Sequence, residues 1–223
     1  MSESGGLKTL VVIGNGPSLK GVDLHMFDGF DTIAMNAMYR HCYDIDWWPT
    51  YFCCFDHIVT DCHAVEFKKM TEDKNNPIKK FFFLKNLSDS DRLEFVEFNK
   101  GKYINFGNTG TNACQMGYSM GYNKLILIGI DCNYKENVPG GVDNPNGYIE
   151  IMETPEKNEN YFIDNYQRKG DKVNPPNAHI YHKPAWEKLA EFAKENEIDV
   201  VNCSPISTLD CFRKSTLEKE IGK

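Results

Sequence analysis

The chain has 223 residues, 41% hydrophobic and 26% charged, with 25 Lys+Arg against 32 Asp+Glu. That apolar content can bury a core and excludes a disordered or collagen-like chain, and a net charge of −7 argues against a broad electrostatic grip on nucleic acid or an anionic membrane. No apolar run reaches the ~18–20 residues of a membrane span, and MSESGGLKTLVVIGNGPSL lacks the cleavage site of a signal peptide, so a cytoplasmic protein is expected.

Residues 8–13 (KTLVVI) form a β-branched run that suits a strand buried on both faces, ending in the glycine-dense turn Gly14-Asn15-Gly16-Pro17-Ser18. A short helical stretch is expected at 23–27, a second strand at 32–35 ending in Asn36, and a third at 50–55 ending in Asp56, with helix-like sequence on to Lys69. Cys53 and Cys54 lie inside this third strand (YFCCF), where neighbours point to opposite faces. With His57, Cys62 and His63 nearby a metal site is one reading. The eight cysteines contain no CxxC pair, however, and are too sparse for a disulfide scaffold, which favours buried, reduced thiols. Residues 71–80 read as a polar loop, 81–84 as a strand, and 89–97 as a short helix capped by Ser88 or Asp89.

The pattern is clearest from Asn108 onward. Asn108-Thr109-Gly110-Thr111 opens a helix carrying Ala113, Met116, Gly117 and Met120 and closed by Gly121. The strand 125–128 then runs into Gly129-Ile130-Asp131. Residues 133–177, rich in Pro, Gly and Asn, read as a long loop of the kind that is usually functional or disordered. An amphipathic helix at 185–197 has Trp186, Leu189, Ala190 and Ala193 on one side. A last strand at 199–202 and a last short helix at 208–212 complete the chain.

Strands alternating with helices predict a single α/β domain over 1–223: a three-layer, mostly parallel, Rossmann-like sheet with 133–177 as a lid loop. Ligands on such sheets bind at the strand carboxyl ends, here marked by Asn15, Asn36, Asp56, Asp131 and Asn202. The turn 14–18 offers close backbone approach and N–H donors to a phosphate or ribose, but it is not GxGxxG and no Walker lysine follows; a plain strand-to-helix turn is the competing reading. Thr109-Gly110-Thr111 offers a helix N-terminus to an anion, or is simply a cap. Asp44-Ile45-Asp46 has the DxD form but precedes a strand and reads as solvated, and Asp89-Ser90-Asp91 reads as capping, so no metal is expected. His179 and His182 flank Tyr181 before the 185–197 helix. A histidine there could take a proton from an attacking hydroxyl or merely cap the helix. Tyr148, Tyr161 and Tyr166 in the loop could steady a leaving phosphate or pack on the sheet.

Taken in order, GNGPSLK, FDTIAMNAMYRHCY, NTGTNACQMGYSMGYNKLILIGIDCNY, HIYHKPAWEKLAEF and DVVNCSPISTL resemble the bacterial sialyltransferases of glycosyltransferase family 42. The resemblance covers most of the chain apart from roughly residues 60–100 and the long loop. It implies a GT-A-like variant of the nucleotide-sugar transferase fold and a metal-independent, inverting enzyme that uses CMP-sialic acid without a further cofactor. By position, Asn15 and Ser18 would touch the nucleotide, with Gly14 and Gly16 in the same turn. Asn36 and Thr109-Gly110, after Asn108, would touch the donor. His182 would be the general base, and lid tyrosines would steady the phosphate.

Three departures bear on the donor. Asn133 stands where the family has a tyrosine, with Tyr134 beside it; Phe106 replaces an arginine; and Asp56 replaces an asparagine. The phosphate tyrosine is therefore reassigned to Tyr161 or Tyr166, and another nucleotide sugar is open. GNGPSL and GID also look like the hydroxymethylpterin diphosphokinase-like family, in which Asp56 and Asp131 would hold Mg²⁺. A catalytically silent nucleotide-binding domain is the third reading. The expected partners are a nucleotide-sugar donor, CMP-linked by preference, and a glycan or other hydroxyl acceptor. Nucleic acid is disfavoured by charge, and self-association is left open.

Overall fold

The computed structural model describes residues 7–222, the side chains of Ala178 and His179 excepted; the candidate His179 therefore lies with its side chain outside the described residues. In chain order the elements are β1 (Thr9–Ile13), β2 (Asp31–Met35), α1 (Tyr39–Ile45), β3 (Tyr51–Cys54), α2 (His57–Cys62), α3 (Ala64–Glu72), β4 (Lys80–Phe83) and β5 (Leu93–Phe95). They continue as α4 (Thr109–Ser119), β6 (Lys124–Ile128), β7 (Gly141–Asp143), β8 (Ile149–Ile151), β9 (Lys172–Val173), α5 (Lys183–Glu195), β10 (Asp199–Asn202), β11 (Arg213–Lys214) and α6 (Leu217–Ile221). Short 3₁₀ turns occupy Pro17–Leu19, Leu24–Phe27 and Asn36–Met38, and a π-turn, Ala178–His182, leads directly into α5.

The main sheet has eight strands in the order β11-β10-β6-β1-β2-β3-β4-β5, every pair parallel. Successive strands run outward from β1 to β5. The chain then returns across the sheet so that β6 joins the free side of β1. The strand order reverses between β1 and β6, and a crevice opens there at the carboxyl ends, where α/β sheets take their ligands. Because both faces are covered, the inner strands β1, β2 and β6 are near-continuous apolar runs, whereas the edge strand β11 is an exposed Arg-Lys pair. One core joins Leu10, Val12, Ile33 and Leu127 to Ala113 and Met116 of α4 and to Trp186 and Leu189 of α5. The other joins Val11, Ile13, Phe52 and Phe81 to Tyr39, Phe67 and Ile221 of α1, α3 and α6. Cys53 faces the first core and Cys54 the second, and both are free thiols. Burial pushes the Cys54 thiol up to about 12.

Three stretches differ from their sequence reading. Residues 89–97 form no helix: the Arg92 guanidinium donates to the carbonyls of Thr71, Asp73 and Asn76 at 2.7–2.8 Å. It thereby closes the end of α3 and lays Leu93–Phe95 beside β4. Residues 208–212 are likewise not helical. Ser207 Oγ donates to Ile130 O (2.8 Å), Thr208 N–H to Asp131 O (2.9 Å) and Thr208 Oγ1 to Cys132 O (2.8 Å), so this segment straps over the end of β6. Finally, 133–177 is no featureless loop. It holds the antiparallel sheet β7-β8-β9, with Val138, Ile149 and Ile151 as its own small core and the turn Asn144-Pro145-Asn146-Gly147 closing the first hairpin.

Candidate active site

The site is built on two touching loops. After β1, Gly14 N–H donates to Ile128 O and Gly16 N–H to Gly129 O, both at 2.8 Å. A Cβ on Gly14 would overlap the Gly129 carbonyl, and one on Gly16 would overlap the Asp131 carboxylate. These glycines are required for loop-on-loop packing, and the same packing brings Asp131 across to the turn. Asp131 Oδ2 accepts from Ser18 N–H at 2.8 Å. Asp131 is only 3% exposed, and burial raises its pKa despite the hydrogen bonds to Ser18. Cys132, next in the chain, takes the left-handed φ of 49° that turns the chain away from β6.

Above these loops lies a cavity of about 670 Å³. Four buried polar atoms on residues that line it lack a protein partner: Asn15 Oδ1, Asn36 Oδ1, Asn108 Nδ2 and Asp131 Oδ1. Backbone partners fix two of these amides. Asn15 donates Nδ2 to Met35 O at 3.3 Å, so its oxygen is the free atom. Asn108 accepts from Thr111 N–H at 2.9 Å as the cap of α4, so its nitrogen is free. Asn36 enters the cavity from a left-handed φ of 58°. Buried polar groups left unpaired are costly, and this set would be satisfied by a ligand offering several hydroxyl or amino donors and at least one acceptor.

Around the floor stand the N-terminus of α4 (Asn108, Thr109, Gly110) and Asp56. Gly110 has no room for a Cβ against Trp186, so α4 begins directly on α5. Asp56 caps α2 through Oδ1, accepting from Ile58 N–H at 2.9 Å and Val59 N–H at 3.1 Å, while Oδ2 accepts from Asn174 at 2.7 Å. Asp56 thereby ties the start of α2 to segment 133–177.

The remaining wall comes from 133–177 and the π-turn. The His182 ring stacks on Tyr134 (centroids 5.1 Å apart, 30° between planes), and among the described residues neither of its nitrogens is hydrogen-bonded. Burial lowers its pKa and the charge of Asp56 partly opposes this, which favours the proton-accepting form of the ring. Tyr161 stacks on Tyr166 at 4.1 Å. Tyr166 Oη accepts from Ala37 N–H at 3.2 Å, and burial holds both phenols protonated. Segment 133–177 is clasped to α1 by Arg40. Its guanidinium makes a two-pronged bridge to Asp171 (2.6 and 2.8 Å) and donates to Tyr166 O (2.8 Å). Beside it, Tyr39 Oη lies 2.9 Å from His63 Nδ1, and burial pushes His63 down to about 4.

The cavity therefore gathers Gly14, Asn15, Gly16, Asn36, Asp56, Asn108, Thr109, Gly110, Asp131, Asn133, Tyr161, Tyr166 and His182. Ser18 is not on its wall; its N–H serves Asp131 instead. Asn202 lies under the 204–208 strap, bonded to Ser204 and Ser207. Tyr148 stands off the wall with Lys172 over its ring. Asp44 and Asp46 are exposed, as a solvated DxD requires. Phe106 turns into the core against Phe192. Tyr134 is not among the residues the sequence singles out for the site; its signal is its place one residue beyond the expected tyrosine. Arg40 and Asp171 are announced by no local motif, and His63 figures in the sequence only within the Cys53–His63 cluster.

No family model and no curated protein matches the sequence. Solved structures do match in fold. The sialyltransferase CstII from Campylobacter jejuni in complex with CMP-3FNeuAc matches at 16% identity and TM-score 0.52, over 93% of this chain and 86% of that one. The sialyltransferase CST-II in complex with trisaccharide acceptor and CMP matches at 16% identity and TM-score 0.51, over 92% and 85%. MAf glycosyltransferase from Magnetospirillum magneticum AMB-1 matches at 14% identity and TM-score 0.53, and there 96% of this chain spans only 34% of the other. At such identities the likeness is one of fold, and this α/β fold is the one carried by the sialyltransferases that the motifs resemble.

Proposed function

We propose that the protein is a glycosyltransferase that moves a sugar from a nucleotide-sugar donor, CMP-linked by preference, to a hydroxyl of a glycan. The reading rests chiefly on one observation: His182, whose ring nitrogens have no hydrogen-bond partner among the described residues, lines the same cavity as the unpartnered polar atoms of Asn15, Asn36, Asn108 and Asp131. His182 takes the acceptor's hydroxyl proton as the acceptor oxygen bonds to the anomeric carbon. The bond from that carbon to the phosphate oxygen breaks on the opposite face, which inverts the centre, and its electrons stay with the phosphate. The first N–H groups of α4 and the protonated Tyr161 and Tyr166 favour the developing charge, with Tyr134 orienting the base by stacking. Segment 133–177 acts as the lid that keeps water from the donor. No metal enters these steps. No helix among the described residues is long and apolar enough to cross a membrane, and we place the enzyme in the cytoplasm.

The first test is thermal shift with CMP, UDP, GDP and ATP, each with EDTA and with Mg²⁺. CMP should raise the midpoint in EDTA; a response to ATP alone, and only with Mg²⁺, would overturn the reading. In transfer assays His182→Ala should lower kcat by ~10²–10⁴ with CMP binding unchanged. The acid limb of the wild-type pH profile should fall below the ordinary histidine value of about 6.5, because burial favours the neutral base.

A further inference from the structure

We propose that Cys62, His63 and Asp171 form a binding site for a soft divalent metal ion, best suited to Zn²⁺, that fastens segment 133–177 to the junction of α2 and α3. One ligand atom from each of the three residues lies within 4.8 Å of the others. His63 is 5% exposed and its ring is set by Tyr39 Oη, 2.9 Å from Nδ1. That contact leaves Nε2 open, 4.0 Å from Asp171 Oδ1. Holding one imidazole nitrogen so that the other presents its lone pair is how proteins orient a metal-binding histidine.

Cys62 is half-buried, and its Sγ makes one long contact, 3.7 Å to Gly170 O. Tetrahedral Zn²⁺, with Zn–S near ~2.3 Å and Zn–N or Zn–O near ~2.1 Å, needs its ligands roughly 3.3–3.6 Å apart. The cluster must therefore close by about an ångström, within reach of a side-chain adjustment. His63 and Asp171 also line the cavity, so the fourth position opens to water. Arg40 does not use up the carboxylate. Its guanidinium takes one site on each oxygen and Arg168 N–H a further one on Oδ2, while an ionised carboxylate offers about four, so Oδ1 keeps one. The guanidinium charge opposes the cation and sets the affinity below that of an all-thiolate site. The site is separate from the group transfer and does not depend on it.

The test is uptake of Zn²⁺ alone by tag-free, reduced, full-length protein, measured in competition with a chromophoric chelator. Wild type should bind about one equivalent, and Cys62→Ser should weaken that by on the order of 100-fold. Cys211→Ser, at the other half-buried cysteine, should not. Zn²⁺ should also slow proteolysis within 133–177 in wild type and leave Cys62→Ser unaffected. His63→Gln gives a second loss of binding by a different ligand. No uptake, uptake unchanged in Cys62→Ser, or loss only in Cys211→Ser would overturn the proposal.

Discussion

The turn after β1 and the segment 133–177 face each other across one cavity and are held there by different kinds of contact. Gly14 and Gly16 lock onto Ile128 and Gly129 through backbone hydrogen bonds that only glycines can approach closely enough to make. Segment 133–177 is held by side chains that reach 118–131 residues along the chain: Asn174 to Asp56, Tyr166 to Ala37 and Asp171 to Arg40. The first kind of contact belongs to the sheet and opens only when the sheet does. The second can let go on its own, as the lid role proposed for this segment requires.

Arg40→Met should break the comparison most sharply. It strands a buried carboxylate, a change that costs about 3–5 kcal/mol when the group stays buried. The segment can relieve this by detaching, so hydrogen exchange and proteolysis should rise strongly in 133–177 while the global midpoint falls by less. An equal loss of protection in β1 and β6 would show that the two regions are one cooperative unit.

Gly14→Ala should do the opposite. Its Cβ has no space beside Gly129, and the overpacking should cost about 1–3 kcal/mol spread over the whole sheet, a fall of roughly 2–4 °C in Tm per kcal/mol for a chain of this size. Asn174→Ala removes one exposed hydrogen bond to Asp56 and should cost about 1 kcal/mol or less, seen as faster exchange near β9 only.

Asp131→Asn is the smallest effect and has the other sign. Burial raises the carboxyl's pKa in the folded state, so folding is favoured by the protonated form. That contribution is complete below the ordinary carboxylate value of about 4 and is lost as pH rises through the raised value. The asparagine should therefore raise Tm at pH 7, with the gain vanishing toward pH 4, while ligand-induced stabilisation weakens.

The same contrast explains what could be read from the sequence. The strands were legible because burial on both faces makes runs such as TLVVI and KLILI continuous, and strand-end Asn and Asp residues then mark the crevice by topology alone. Opposite facings for Cys53 and Cys54 followed from the two-residue period of a strand. Residues 89–97 misled because their capping residues and charges suit a helix, whereas the deciding contact is Arg92 reaching back to the end of α3. The contact of Ser18 N–H with a carboxylate 113 residues away was not legible, because no local pattern announces it. The strands of 133–177 are three residues or fewer, too short for a period to register, although the alternation in Ile149-Glu150-Ile151 is there in hindsight.

The strand order has a consequence for how the chain emerges during synthesis. β1 is made before any other strand of the sheet, yet it is a central strand that needs partners on both sides. It can pair with β2 early, but its other edge must wait until Lys124–Ile128 have left the ribosome. Until then a fully apolar strand presents an open row of N–H and C=O groups, the template on which β-structures aggregate. The reversal of strand order that opens the cavity therefore also sets a vulnerable interval in biogenesis, and substitutions that slow the docking of β6 should lower soluble yield before they alter the finished protein.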